Sequence, residues 1–337
     1  MAKTIHDVAN IAGVGIGTVS RVLNNSANVK PQTREKVLAA ISQLDYKPSP
    51  IARSMISKRT GSIGVIAPFF TRFFFIEVLK GMELATVRVG KDLVLYSIET
   101  NAQRDRYFSD LPMQRKVDGL LILSLTPDPA FVNSFFAKGL PVVLVDAYNP
   151  ALTSLVVNNI EGAHQAVKCL IEKGHRHIGF INGIIEGNFK FNQANDRLIG
   201  LHRALGEAGL LFEPEFALTA EWSRQGGKAA ALQLLSQKNR PTAIFAASDI
   251  QAVGVLEAAR ALKISVPVDL SVIGYDGIEL SEMLDLSTVQ QPMQYMGELA
   301  VTELMEQIED PERPAKLIRL NTTLIERGTT ACVPSSC

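Results

Sequence analysis

From Ser62 onward, short apolar runs alternate with amphipathic stretches, and few architectures accept that rhythm. Candidate strands fall at residues 63–67, 93–97, 120–123, 142–146, 177–181, 217–220, 243–246 and 272–275. Helical spacing of apolar residues fills much of the space between them, for example over 74–89, 162–173, 196–208, 224–237, 250–262 and 293–308. Strands that alternate with helices predict parallel sheets covered on both faces, an α/β protein. Eight strands are too many for one small sheet.

The first 46 residues follow a different rule. Ile5, Val8, Ala9 and Ile11 recur at helical spacing, with Thr4 placed to cap the helix and Asp7 in its first turn. Gly13 breaks this segment. A second short helix, about 15–23, sets Val19, Val22 and Leu23 on one side and Ile16, Gly17, Ser20 and Arg21 on the other. A third, from Pro31, repeats the apolar spacing at Val37, Leu38, Ile41 and Leu44. Two short helices joined by a glycine turn make a helix-turn-helix. Charge gives the unit a purpose: residues 1–60 carry nine Lys or Arg against Asp7, Glu35 and Asp45, although the whole chain is neutral. A basic head on an acidic body is the electrostatic footprint of a phosphate binder.

Between head and body, Pro48 and Pro50 end the third helix. Ile51, Ala52, Met55 and Ile56 form one short apolar stripe, too brief to be stable alone in water.

These residues carry a resemblance. TVSRVLN at 18–24, with DVA before it, VLAAI after it and ARSM at 52–55, resembles the LacI/GalR family of bacterial transcriptional regulators over nearly the whole chain. The resemblance implies a helix-turn-helix head (1–48), a hinge helix (49–60) and an effector-binding and dimerisation body (61–337). The body is expected as two doubly wound parallel lobes of the periplasmic-binding-protein type. Lobe 1 would span about 61–158 and 291–321, lobe 2 about 159–290 and 322–330, with crossings near Asn158, Gln290 and Asn321. It also implies a hinge helix that folds on DNA beside its copy from a second subunit, with Met55 as a minor-groove wedge and Arg53 beside it.

For base reading, Ile16, Gly17 and Arg21 are the exposed candidates, Arg21 being able to donate twice to a guanine edge. Thr18, Ser20 and Asn24 suit phosphates, which position the head without reading sequence, and Thr4 joins the DNA-binding set. GIG at 15–17 departs from the family, in which Ser commonly stands at 15 and a longer side chain at 17. Two glycines weaken a helix, so one is expected at its cap.

In the body, the positions that match the family's effector contacts are Phe69, Phe70, Phe74, Arg197, Trp222, Ser248, Asp249 and Asp276. Arg197 offers a fork of donors and Asp276 a pair of acceptors, which suits the vicinal hydroxyls of a sugar; Trp222 and the Phe residues can cover its CH face. Two departures stand here. Arg72-Phe73 replaces the usual Asn-Pro and Ser248 the usual Asn, which admits a bulkier or phosphorylated effector or a disaccharide.

Other chemistry lacks support. GVGIG has neither the spacing of a dinucleotide loop nor a strand before it, and GGKAA at 226–230 lacks the parts of a phosphate loop. His175 and His177 have no ligands at metal spacing, and the three cysteines form no CxxC. No cofactor is expected. The chain has no apolar run of membrane-spanning length, and MAKTIHDVA lacks a secretory signal, which points to the cytoplasm. The expected partners are operator DNA, a small-molecule effector read as a sugar, and a second copy of the chain in a homodimer. The tail has no leucine heptads to join dimers. A corepressor-dependent regulator with a non-sugar effector is the alternative; a solute-binding protein or a sugar-processing enzyme fits less well.

Overall fold

The structure, a computed structural model, describes residues 3–23, 26, 28–46, 59–184, 189 and 191–333. Asn24, Arg53 and Met55, and with them the expected hinge helix, lie outside the described residues. Two compact units emerge: residues 1–62 with 114–118, and the remainder of the chain.

In the first unit, α1 (Ile5–Ala12), α2 (Ile16–Leu23) and α3 (Pro31–Leu44) close around Val8, Ala9, Ala12, Val19, Val22, Val37, Ala40 and Tyr46. Thr4 and Asp7 form a reciprocal capping box. Gly13 ends α1 at φ 64°, a left-handed conformation in which glycine carries no Cβ penalty. Ile11 and Leu38, expected in this core, are exposed instead. The small Ala12 and Ala40 take their places, because helices this short must approach closely to exclude water. Residues 60 and 61 are pinned locally: Thr60 Oγ1 and Gly61 N donate to the Asp118 carboxylate at 2.9 and 3.0 Å.

The second unit holds β1 (Ser62–Pro68), α4 (Phe73–Arg88), β2 (Asp92–Ile98), α5 (Asn101–Gln114), β3 (Gly119–Leu123), α6 (Pro129–Ala137), β4 (Val142–Val145) and β5 (Thr153–Val157). Next come α7 (Asn159–Glu172), β6 (Ile178–Gly183), α8 (Asn192–Glu207), β7 (Ala217–Ala220), α9 (Arg224–Leu235), β8 (Ala243–Ala246) and α10 (Asp249–Ala261). The chain ends with β9 (Ser271–Asp276), α11 (Glu279–Met283), β10 (Ser287–Gln290), α12 (Met293–Glu309), β11 (Leu317–Leu320) and β12 (Thr323–Ile325).

These strands form two six-stranded sheets, ordered β11-β5-β4-β3-β1-β2 and β12-β10-β9-β8-β6-β7. β3, β4, β8 and β9 are buried along their whole length, as strands covered on both faces must be. In each sheet the winding reverses once, between β1 and β3 and between β6 and β8. The chain passes between the lobes after β5, after β10 and after β11. The third passage ends in β12, which pairs antiparallel with β10 in an otherwise parallel neighbourhood. After the second passage α12 returns to lobe 1, where Met293, Met296, Gly297, Ala300, Val301, Leu304 and Ile308 form its buried face. Its crossing with α4 is backbone against backbone: a Cβ on Gly81 would lie 1.9 Å from the Gln294 carbonyl oxygen. No described helix is long and apolar enough to cross a membrane.

Candidate functional site

On the head, α2 presents Ile16, Gly17 and Arg21 to solvent, while Thr18 and Ser20 are half-buried beside them. The Gly15 carbonyl accepts from Thr18 N and Val19 N, so Gly15 stands at the cap and Gly17 inside the helix. Open space surrounds Gly17: an added Cβ would meet only the Arg21 guanidinium, at 3.9 Å. Thr4 is exposed, and its hydroxyl is engaged in the capping box.

In the body, the carboxyl ends of both sheets look onto one cavity with about 620 Å³ of empty space including its open mouth. Doubly wound sheets place ligands there because the strand order reverses and the loops part. The lobe 2 wall is built around Arg197 of α8, which is 3% exposed. Its Nε donates to Asn159 Oδ1 at 2.9 Å and its Nη1 to the Ala247 carbonyl. Nη2 lies 3.8 Å from Asp276 Oδ1, and the guanidinium stacks 3.7 Å above the Tyr275 ring. Trp222 stands beside it, 5.7 Å from ring centroid to guanidinium carbon. The Trp222 ring lies against Gly183 at the end of β6, where a Cβ would sit 1.9 Å from it. Asp276 also accepts from Gln291 Nε2 at 2.7 Å, yet its burial drives the carboxyl pKa above the ordinary value.

The lobe 1 wall centres on Asp146, the residue that follows β4. Its Oδ2 accepts from Ser124 Oγ at 2.7 Å and from Gln193 Nε2, which also donates to the Asp146 carbonyl at 2.8 Å. Gln193 belongs to α8, so this side chain ties lobe 2 to lobe 1. Burial raises the Asp146 carboxyl to about 6 despite those hydrogen bonds and the nearby Arg197 charge. Ser124, Asp146 and Asp276 all have positive φ (52°, 58° and 117°). Non-glycine residues in that region are strained, and such strain gathers at functional sites. Arg72, Phe73, Phe74 and Phe75 complete this side.

The same layout recurs in known proteins. Residues 4–49 match the lacI family of bacterial regulatory proteins, and 167–330 match a periplasmic binding protein-like domain. The HTH-type transcriptional repressor PurR of Pectobacterium atrosepticum is 35% identical, over 98% of each chain. The chain belongs to the lacI family. The ribose operon repressor of Haemophilus influenzae is likewise 35% identical, over 96% of this chain and 97% of its own. A lac repressor dimer bound to operator and the anti-inducer ONPF superposes with a TM-score of 0.84 at 26% identity, covering 98% of this chain and 100% of that one. This lacI-family protein is therefore a DNA-binding transcriptional regulator whose body has the two-lobed fold the sequence led us to expect.

Five of the eight residues singled out in the body line the cavity: Phe74, Arg197, Trp222, Ser248 and Asp276. Ser248 also caps α10, its Oγ accepting from Gln251 N. Three residues do not line it. Asp249 is wholly buried; its carboxylate accepts from Gly277 N (2.8 Å), Ile278 N (2.9 Å) and Thr288 Oγ1 (2.6 Å), and so braces the loop that carries Asp276. Phe69 turns edge-on to Phe189 and underlies Arg72. Phe70 faces a separate surface groove with Leu79, Leu93 and Leu95. Ser124, Asp146 and Gln193 had not been singled out. Ser124 and Asp146 did leave a trace, each being the first polar residue after a buried strand.

Proposed function

We propose that this regulator is a repressor of carbohydrate-utilisation genes, working as a homodimer in the cytoplasm and released from operator DNA by a sugar bound between its lobes. One arrangement carries the reading: Arg197, Asp276 and Asp146 converge on a cavity whose aromatic walls include Trp222, Phe74 and Phe191. Donor fork and carboxyl acceptors match adjacent hydroxyls, and the rings match the CH faces between them. The buried Gln193 Oε1 has no partner among the described residues, which leaves an acceptor for one more hydroxyl. Phe74, Arg197, Trp222, Ser248 and Asp276 are the proposed contacts from the original set; Asp249 supports Asp276 from behind.

The division of labour is a head (1–48), a hinge (49–60) and a body (61–337), its lobes being about 61–158 with 291–321 and 159–290 with 322–330. Ile16, Gly17 and Arg21 read bases; Thr4, Thr18, Ser20 and Asn24 hold phosphates; Arg53 and Met55 act in the minor groove. A homodimer agrees with the dimeric lac repressor relative and with the exposed apolar residues Leu84, Val87, Val89 and Leu95 near one edge of lobe 1. Two heads on a two-fold axis then read two half-sites.

Fluorescence polarisation of a labelled palindrome from upstream of the chain's own gene, titrated with protein and then with a sugar panel, tests this. Salt-sensitive binding released by one sugar is the expected result. Binding that only strengthens with ligand makes the effector a corepressor. Indifference of the complex to every sugar overturns the carbohydrate reading.

A further inference from the structure

The cavity holds two arginines, and only Arg197 is occupied. Arg72 comes from lobe 1, at the residue that caps the start of α4. Its guanidinium carbon lies 4.1 Å from the Phe69 ring centroid and the residue lines the cavity. Among the described residues none of its five N–H groups finds an acceptor and no carboxylate forms an ion pair with it; Glu221 acts on it only through space. Burial works against its charge.

No Arg72 nitrogen is among the buried atoms that lack a partner, so its N–H groups open onto the cavity and can take an acceptor from a ligand there. The carboxylates of the same cavity are turned toward other partners. Asp146 is committed to Ser124 and Gln193, and Asp276 to Gln291 and Arg197. The first turn of α4 points the same way: it has no side-chain cap, so the N–H groups that begin the helix remain without a capping acceptor beside Arg72. On the opposite wall, Arg197 with Asp276 already provides for hydroxyls. The cavity thus has on lobe 2 a cation already tethered beside Asp276, and on lobe 1 the hydrogen-bonded Asp146 carboxyl and a cation with no protein acceptor.

We propose that the effector is an anionic sugar, a sugar phosphate or sugar acid, whose anion is held by Arg72 and whose hydroxyls face Arg197 and Asp276. This rests on the carbohydrate reading above and narrows it. A planar guanidinium fork takes a phosphate or a carboxylate in the same two-point manner.

Isothermal titration of the full chain with matched pairs tests it: ribose against ribose 5-phosphate, and glucose against glucose 6-phosphate and gluconate, with inorganic phosphate alone as a further probe. One anionic member is expected to bind about tenfold to a hundredfold more tightly than its neutral parent, the worth of a charge-assisted hydrogen bond. Arg72→Gln should erase that preference, the anionic member losing at least about tenfold more affinity than its neutral parent, and Arg72→Lys should restore part of it. A thermal melt confirms that the variants fold. Phosphate and carboxylate members distinguish the two anions. A neutral sugar that binds as tightly as its charged partner, or a preference that survives Arg72→Gln, overturns the inference and leaves the carbohydrate reading standing. Failure of every sugar, charged or neutral, overturns both.

Discussion

Arg72 and Arg197 face the same cavity from opposite lobes, and they differ in nearly everything but residue type. Arg197 is held at Asn159, Ala247, Asp276 and the face of Tyr275; Arg72 rests on one phenyl ring. A side chain that its own protein already holds at several points contributes to the shape of a site before any ligand arrives. One that is not must obtain its partner from outside. Lobe 2 therefore holds its cation in place and lobe 1 leaves its cation open to a ligand, so orientation and selection are assigned to different halves of the molecule.

Removing the Arg197 side chain should have the greatest effect. Arg197→Ala leaves Asp276 buried without its cation and should cost about 3–5 kcal/mol of body stability, together with effector binding; chemical denaturation measures the first and titration the second. A loss below about 1 kcal/mol would mean that the wall is not prebuilt.

Asp146→Asn probes lobe 1 through pH. Because burial raises the Asp146 carboxyl from 3.8 to about 6, its ionised form opposes folding. The associated stability is complete below the unfolded value near 4 and is lost as pH rises through about 6. The variant should match the parent at pH 4 and exceed it at pH 8 by up to about 3 kcal/mol. A constant difference across that range would show that Asp146 ionises freely.

Gly183→Ala pushes on the Trp222 ring from behind and should cost about 1–3 kcal/mol by overpacking. Trp222 is the only tryptophan, so a shift in emission reports its displacement directly. Unchanged emission would show that the ring does not rest on Gly183. Arg72→Gln has the smallest effect on stability: the melt should stay within about 0.5 kcal/mol of the parent, as for a side chain without hydrogen-bond partners. A larger drop would reveal a bond that the comparison denies.

Much of this was legible in the sequence. Val142 to Val145 and Ala243 to Ala246 announce buried parallel strands because sheets covered on both faces leave no polar alternation, and Pro31 and Gly13 mark helix limits through their backbones alone. β5, β10, β11 and β12 were not singled out. Their three to five residues mix Thr, Ser, Gln or Arg with apolar ones, and only pairing with distant neighbours makes them strands. The site divided along similar lines. Arg197 and Trp222 stand in recognisable surroundings, whereas Gln193 matters only because α8 carries it across to Asp146. Asp249 was misread for the converse reason: an acid at the start of a helix looks available until the loop at Gly277 and Ile278 folds onto it.

The three passages of chain between the lobes have a mechanical consequence. Two bodies joined by one thread can swivel and slide almost at will, but three separate tethers restrict such freedom, like a gate hung on three pins. Whatever stands between gate and post sets how far it swings. In such a device the thickness of the molecule in the opening is converted into an angle, and two ligands of equal affinity but unequal girth would send different signals.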